Sequence, residues 1–265
     1  LTIERNYIQP MSAFAYTPTT PATPKPANNE IWYTNGSTTT ATTPYSTTVF
    51  GANIVSNLYD AEKECWVITF DGDVTMIGYE AFNAKNLTGI TIPDSVTTIG
   101  SNAFYYCSKL KNIHIPQNVT EIKDAFSGCT SLVGVHINDI VSWCSINFNS
   151  TNPLYYAKNL YLNGELITDL VIPKEASLIS DRAFKNCTCI TSITIEDGVA
   201  SIGNATFSGC SSLTSVTIPS SVTYIGNSAF AECTGTLYTD SGYMDCNIVY
   251  NSYYGTTSNV GSYIG

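Results

Sequence analysis

The central part of this 265-residue chain repeats one sequence pattern six times between residues 65 and 234. The second apolar residue of each opening recurs at steps of 22, 23, 57, 23 and 23 residues, and the longest step holds a further opening, LVGVHI, with Ile137 in register. A fixed period near 23 residues predicts a solenoid, in which each coil buries its apolar side against its neighbours. The copies are CWVITFDGDVTMIGYEAF, LTGITIPDSVTTIGSNAFYYC, LKNIHIPQNVTEIKDAFSGC, ITDLVIPKEASLISDRAFKNC, ITSITIEDGVASIGNATFSGC and LTSVTIPSSVTYIGNSAFAEC.

Each copy consists of three segments. In the second copy, residues 87–93 predict a short strand that ends at a proline, and residues 96–100 predict a second extended piece followed by a glycine with positive φ. Residues 101–107 predict a single helical turn that begins with a capping residue. Lys123 and Ser180 stand where other copies have glycine, and the third copy is one residue short, so we expect local distortion there. The glycines are at 78, 100, 203 and 226, and the cap residues are Ser101, Asp181, Asn204 and Asn227.

The flanking regions differ from the repeats. Residues 1–30 contain a run rich in proline and threonine, which predicts an extended linker or stalk, or else a disordered end. Residues 31–64 are β-prone and predict an N-terminal cap, and residues 65–234 form the solenoid. Residues 138–166 predict an enlarged coil with a hairpin at Asn163-Gly164, and residues 235–265 predict an irregular C-terminal coil or cap.

Composition narrows the functional classes. Charged residues make up only 12% of the chain, the net charge is −10, and the 11 basic residues are scattered, which argues against nucleic acid or an anionic bilayer as partner. No run of about 18 apolar residues occurs, so no membrane span is expected.

Five of the nine cysteines lie three residues after the repeat phenylalanine. This periodic placement predicts a ladder of buried thiols that pack as small apolar groups and form no disulfides. The ladder consists of Cys107, Cys129, Cys187, Cys210 and Cys233.

The repeat LxxIxIPxxVxxIGxxAFxxC resembles the BspA-like leucine-rich repeat of gut-bacterial surface proteins, over about residues 65–234. The resemblance implies an α/β solenoid, a right-handed stack of coils with a short strand and a short helical turn per repeat, behind a β-rich N-terminal cap. It also implies a secreted or surface-attached protein, which in some family members binds host matrix proteins or other microbes. No catalytic residues come with it.

A concave face lined by the first strands would carry the candidate ligand-binding residues. Hydroxyl groups dominate the outward columns, and both histidines of the chain fall in one column on successive coils. The histidine pair is open to three interpretations: a shared metal ion, a pH-sensitive patch or a solvated ladder that contacts a ligand. Two ligands are too few for a tight zinc site, so no metal or cofactor is expected. The candidates are Thr91, Asn112, His114, His136, Asp169, Thr194 and Thr217.

These observations predict a non-catalytic, monomeric interaction module that binds a protein or glycoprotein on a host or microbial surface. A strip of seven coils at about 4.8 Å presents an area on the order of 350 Å², below the roughly 800 Å² per partner of a standard interface. Adhesion would therefore recruit the aromatic residues of the enlarged coil or many copies on one surface. Trp143 and the tyrosines of residues 155–161 leave open a carbohydrate-binding module, and a structural spacer is the third possibility.

Overall fold

The computed structural model describes residues 25–234, 236–239 and 242–245. Most of the predicted linker (1–30) and most of the predicted C-terminal coil (235–265), with Cys246, lie outside the described residues. The elements of the first half are β1 (Glu30–Thr34), β2 (Ile54–Asp60), β3 (Cys65–Phe70), β4 (Met76–Ile77), β5 (Gly89–Thr91), β6 (Thr98–Ile99), β7 (Asn112–His114), β8 (Glu121–Ile122) and β9 (Gly134–Ile137). The second half contains α1 (Ile140–Ser145), β10 (Asn147–Phe148), α2 (Leu154–Ala157), β11 (Leu160–Leu162), β12 (Glu165–Leu166), β13 (Asp169–Ile172), β14 (Leu178–Ile179), β15 (Ser192–Ile195), β16 (Ser201–Ile202), β17 (Ser215–Ile218), β18 (Tyr224–Ile225), β19 (Thr236–Thr239) and β20 (Gly242–Asp245).

Successive repeats stack as coils, and each regular coil contributes two short strands. The second strands form parallel ladders of β4, β6, β8 and β10 and of β14, β16 and β18. The first strands β13, β15, β17 and β19 stack in parallel without a register shift. Because the register is constant, the buried apolar residues of each coil lie directly on those of the next. The predicted leucine-rich-repeat solenoid is confirmed.

Phenylalanine rings stack inside the regular coils as a column that the enlarged coil interrupts. The rings of Phe184, Phe207 and Phe230 stack with centroids 5.3 Å apart at both steps. Phe104 stacks in the same way on Phe126, at 5.1 Å. Offset-stacked aromatic pairs contribute about 0.5–1.5 kcal/mol each beyond their buried area. The repeat phenylalanine therefore joins coil to coil as well as filling each coil.

The cysteine ladder lies beside the phenylalanine column. The Cys107 Sγ donates to the Phe82 carbonyl oxygen in the preceding coil, at 3.0 Å, and Cys129 does the same to Phe104 at 3.1 Å. Burial raises the pKa of both thiols to about 12. The prediction of buried, unbridged thiols is confirmed for Cys107, Cys129, Cys187 and Cys210.

The third segment of each regular coil is a series of hydrogen-bonded turns rather than a helical turn. The Tyr105 N–H donates to the Asn102 carbonyl at 3.0 Å, and the Phe104 N–H donates to Ala125 of the next coil at 2.8 Å. Asn102 and Tyr106 have φ of 58° and 53°. These two left-handed residues stop any helix from propagating, so the segment bonds to its neighbouring coil instead.

The sequence predicted a positive φ at the glycine that recurs in four repeats. This prediction is wrong, because none of the four glycines has a positive φ. A Cβ on Gly203 would lie 2.5 Å from the Asp181 nitrogen of the preceding coil, and one on Gly226 would lie 2.5 Å from the Asn204 nitrogen. The glycine is therefore required by the close approach of two backbones, not by its own conformation. The four positions are Gly78, Gly100, Gly203 and Gly226.

The predicted helix caps also act between coils. Asp181 Oδ1 accepts the N–H of Asn204 at 2.6 Å, and Asn204 Oδ1 accepts the N–H of Asn227 at 2.8 Å. Each side chain therefore satisfies a backbone amide one coil further on, where the sequence predicted that it would cap its own helix. The short third copy has a φ of 39° at Asp124, but regular coils also have a positive φ at this position, as at Asn102 and Arg182, so the angle does not show the expected distortion.

The N-terminal cap reaches into the first repeat. β1 lies antiparallel between β3 and β5, and β2 pairs with the other edge of β3. The first repeat copy therefore gives its first strand to the cap sheet and its second strand, β4, to the coil ladder. Residues 25–29 lie against the first coils, where Lys25 forms an ion pair with Asp94 at 3.0 Å.

The enlarged coil contains the only two helices among the described residues. Asp139 caps α1 by accepting the N–H groups of Val141 and Ser142, both at 3.1 Å. β11 and β12 form an antiparallel hairpin around Asn163 and Gly164, whose φ values of 52° and 88° are those that its two-residue turn requires. The hairpin predicted from Asn-Gly is present.

Candidate interaction surface

The first strands present one row of side chains across the N-terminal half of the solenoid. Backbone pairing sets His114 beside His136 and His136 beside Tyr161, while Trp32 of β1 pairs with Thr91 of β5. β5 lies against β7, so the row continues from Thr91 to His114. All five side chains are half-buried. We call Trp32, Thr91, His114, His136 and Tyr161 the histidine row.

Neighbouring side chains hold the two histidines in place. His114 Nε2 shares a hydrogen bond with Asn138 Oδ1, and His136 Nε2 shares one with Asn112 Oδ1 at 3.3 Å. The His136 ring stacks on Tyr161 with centroids 4.5 Å apart and planes 13° from parallel. The imidazole of His136 therefore has a fixed orientation, with its polar edge bonded and one face covered.

The electrostatics favour a neutral His136. Burial, with a smaller contribution from the nearby His114, lowers the pKa of His136 below its ordinary value of 6.5. His136 is therefore uncharged at neutral pH and gains a proton only in acid. No group of three histidine, cysteine or acidic side chains suited to a metal ion occurs within the described part of the chain.

The other candidates lie in a separate part of the same face. Asp169 pairs in register with Ser192, and Thr194 pairs with Thr217, along β13, β15 and β17. The Asp169 carboxylate accepts hydrogen bonds from Thr168, at 3.2 Å, and from Ser192. Since β13 begins a new sheet after the β11–β12 hairpin, these exposed residues do not continue the histidine row. The structure thus divides the seven candidates between two patches.

The sequence did not place either end of the histidine row on the first-strand face, although Tyr161 was among the tyrosines of the carbohydrate-binding alternative. Tyr161 lies in the opening Leu160-Tyr161-Leu162, whose alternation matches the other first strands and could have revealed it. Trp32 gave no such signal, because it reaches the row from the cap through antiparallel pairing with β5.

Trp143 cannot serve as a sugar-stacking platform. Its ring is 1% exposed, it packs on Phe148, and its Nε1 donates to the Ala183 carbonyl at 3.0 Å. Trp143 therefore does not support the carbohydrate-binding alternative, whereas Tyr155 of the same coil is exposed. In the described part of the chain, no helix has the length and apolar character needed to cross a bilayer.

The chain matches a family model and is similar to two solved structures. The family model for the BspA type leucine rich repeat region matches residues 28–155 and 155–257, with six copies. A leucine rich cell surface protein from Faecalibacterium prausnitzii is 33% identical, with a TM-score of 0.44, over 63% of this chain and 43% of that protein. The leucine rich repeat protein of T. pallidum is 26% identical, with a TM-score of 0.39, over 62% of this chain and 73% of that protein.

This chain therefore spans less than half of the Faecalibacterium protein. Among curated proteins, none matches the sequence. The family model covers most of the chain, including the coils whose strands, phenylalanine column and cysteine ladder the structure shows. The chain belongs to the BspA type leucine-rich repeat family.

Proposed function

We propose that this chain is a non-catalytic interaction module, secreted or attached to the cell surface, that binds a protein or glycoprotein through its first strands. The histidine row is the centre of the contact. The single observation that carries this proposal is the line of Trp32, Thr91, His114, His136 and Tyr161 across neighbouring strands, in which β5 and β7 pack together without pairing.

The chemistry of the row suits protein recognition. Tryptophan and tyrosine are enriched among the residues that dominate binding energy, because each combines a large apolar surface with one polar group. Trp32 Nε1 is bonded to Glu30 at 2.8 Å and Lys63 lies 5.4 Å from the centre of its ring, so the indole is held before any partner arrives. A side chain that is already ordered loses less entropy on binding.

The size of the row limits its affinity. Five strands at about 4.8 Å cover on the order of 20 Å, so the row alone buries less than the roughly 800 Å² of a standard interface. We therefore expect weak binding by a single copy and strong adhesion only where many copies engage one surface.

Alanine substitutions in the row test this function. Trp32→Ala and Tyr161→Ala should each weaken binding to a responsive matrix protein or mucin by about 10-fold or more, as measured by biolayer interferometry. Tyr79→Ala removes a 60% exposed ring outside the row and should leave binding unchanged. If Trp32→Ala and Tyr161→Ala bound as tightly as the wild type and Tyr79→Ala, the row would not be the binding surface. If the wild-type chain showed no saturable binding, a structural spacer would be favoured instead.

A further inference from the structure

A cleft of about 540 Å³ opens where the enlarged coil meets the coil that follows it. Its volume lies within the range of about 300–1,000 Å³ that holds small ligands. β10 is the outermost strand of one sheet and β14 is the outermost strand of the next, so the second-strand ladder is interrupted at this place. The cleft lies along second strands and therefore does not include the histidine row.

One column of residues from three successive coils lines the cleft. Leu178 pairs with Ser201 and Ser201 pairs with Tyr224, which sets an aliphatic group, a hydroxyl and an aromatic ring about 10 Å from end to end. Leu178 is 46% exposed and Tyr224 is 51% exposed. This lining alternates apolar and polar surface on the scale of a pyranose ring.

The enlarged coil adds two amides to the lining. Asn147 and Asn149 flank the buried Phe148 on β10 and are both exposed. Within the described residues, neither side chain has a hydrogen-bond partner. Each amide offers one acceptor and two donor hydrogens, the combination that sugar hydroxyls can satisfy.

Arg182 supplies the positive charge of the cleft, and its neighbour Asp181, which also lines the cleft, supplies a negative one. It is the single arginine in the described part of the chain, and its guanidinium has no ion pair or hydrogen bond there. Its backbone N–H is bonded to the Asn204 carbonyl at 2.9 Å, which fixes its position. The adjacent Asp181 carboxylate is turned to the next coil, where it accepts from the N–H and Nδ2 of Asn204 at 2.6 and 3.0 Å.

We propose that this cleft binds a saccharide that carries a carboxylate. Arg182 holds the carboxylate through paired N–H donors, a geometry that a guanidinium provides and an ammonium does not. Asn147, Asn149 and Ser201 bond the sugar hydroxyls, while the Tyr224 ring packs on the C–H face of the ring. This site is independent of the proposed contact through the histidine row.

An extended peptide fits the cleft less well. A peptide strand would need the free edge of β14, but the Ser180 N–H at the end of β14 is already bonded to the Cys144 carbonyl of α1 at 2.8 Å. The two walls are therefore joined at this end, and no continuous strand edge is left for β-addition.

Isothermal titration calorimetry on the full chain tests the proposal. The probes are a glucuronic-acid-containing tetrasaccharide, the same tetrasaccharide with its carboxyls reduced to alcohols, sodium acetate and a hexaglutamate peptide. We expect saturable binding of the acidic tetrasaccharide and at least about 10-fold weaker binding of the reduced one, because a charged hydrogen bond is lost.

Variants assign the binding to the cleft. Arg182→Gln and Tyr224→Ala should each weaken binding of the acidic tetrasaccharide by about 10-fold or more, whereas Lys109→Gln, which removes one exposed positive charge elsewhere, should not change it. Thermal melts check that each variant remains folded. Equal binding of both tetrasaccharides, wild-type binding by Arg182→Gln, tighter binding of hexaglutamate, acetate binding of equal strength, or no binding at all would each overturn the proposal.

Discussion

The regular coils after residue 167 and the enlarged coil before them use different hydrogen-bonding groups to join the next coil. In the regular coils, backbone joins backbone: the Phe184 N–H donates to Thr206 at 2.9 Å and the Phe207 N–H donates to Ala229 at 2.7 Å. In the enlarged coil, Trp143 Nε1 and Asn152 Nδ2 reach the carbonyl of Ala183. Side chains thus replace the missing backbone donors.

This difference shows where the family scaffold leaves room for specific sites. Regular coils repeat one set of contacts, so their surfaces vary only in the outward side chains. The enlarged coil interrupts the second-strand ladder and adds Tyr161 to the first-strand face. The cleft and the end of the histidine row both result from the one coil that departs from the pattern.

The largest expected effect is the loss of a ring from the regular stack. Phe207→Ala removes a fully buried side chain that contacts two stacked rings, so the free energy of unfolding should fall by about 3–5 kcal/mol. Guanidinium denaturation followed by circular dichroism measures this. Tyr79→Ala, at an exposed ring, is the control and should change stability by less than about 0.5 kcal/mol. Similar losses for both variants would contradict a shared core.

Glycine substitutions compare the two kinds of coil contact directly. Gly226→Ala forces a methyl group to within 2.5 Å of the Asn204 backbone and should cost about 1–3 kcal/mol of unfolding free energy. Ser180→Gly, at the equivalent position over the enlarged coil, should cost less than about 1 kcal/mol, because that position already tolerates a side chain. If Gly226→Ala proved as stable as the wild type, the close approach of the coils would be wrong.

Trp143→Phe isolates the hydrogen bond that joins the enlarged coil to its neighbour. The smaller ring remains apolar but leaves the Ala183 carbonyl with one donor fewer, so stability should fall by about 1–2 kcal/mol. Hydrogen exchange should speed up in residues 140–157 and stay unchanged in residues 190–230. Uniform acceleration along the chain would mean that the enlarged coil does not unfold as a local unit.

The smallest expected effect is on chemical reactivity rather than stability. A hydrogen bond from Cys187, whose Sγ lies 3.5 Å away, lowers the pKa of Cys189 to about 7. Alkylation of Cys189 by iodoacetamide should therefore rise with pH around a midpoint near 7, because the thiolate is the nucleophile. Cys107, whose pKa burial raises to about 12, should stay unmodified until the chain unfolds.

Peptide mapping by mass spectrometry reads both sites, and Cys187→Ala is the matched variant. Without the Cys187 donor, the midpoint for Cys189 should move up towards the ordinary cysteine value of about 8.5. A midpoint near 8.5 in the wild type would show that the two thiols do not interact in solution.

The repeat pattern predicted the features that depend only on the coil period. The buried phenylalanines and cysteines, the strand positions and the register all follow from residues that recur about every 23 positions. His114 and His136 were correctly set side by side for the same reason.

Features that depend on a neighbouring coil could not be derived from one copy. The role of Gly203 is decided by the Asp181 backbone beneath it, and the role of Asp181 by the Asn204 amide above it. The insertion of β1 beside β5 joins residues that are far apart in sequence through a pairing that no periodicity encodes. Secondary-structure propensity depends on the residues of one segment, whereas these contacts form between different coils.

The strand directions at the two ends of the described solenoid have a consequence for assembly. β1 runs antiparallel to β5 at one end, and β20 runs antiparallel to β19 at the other. A parallel stack with bare ends could accept the matching end of a second molecule and grow into a fibre by head-to-tail addition. With the chain direction reversed at both ends of the first-strand sheets, an incoming molecule meets no matching edge there. The second-strand ladders end instead at β4 and β18, whose two residues offer little edge for a second molecule to pair with.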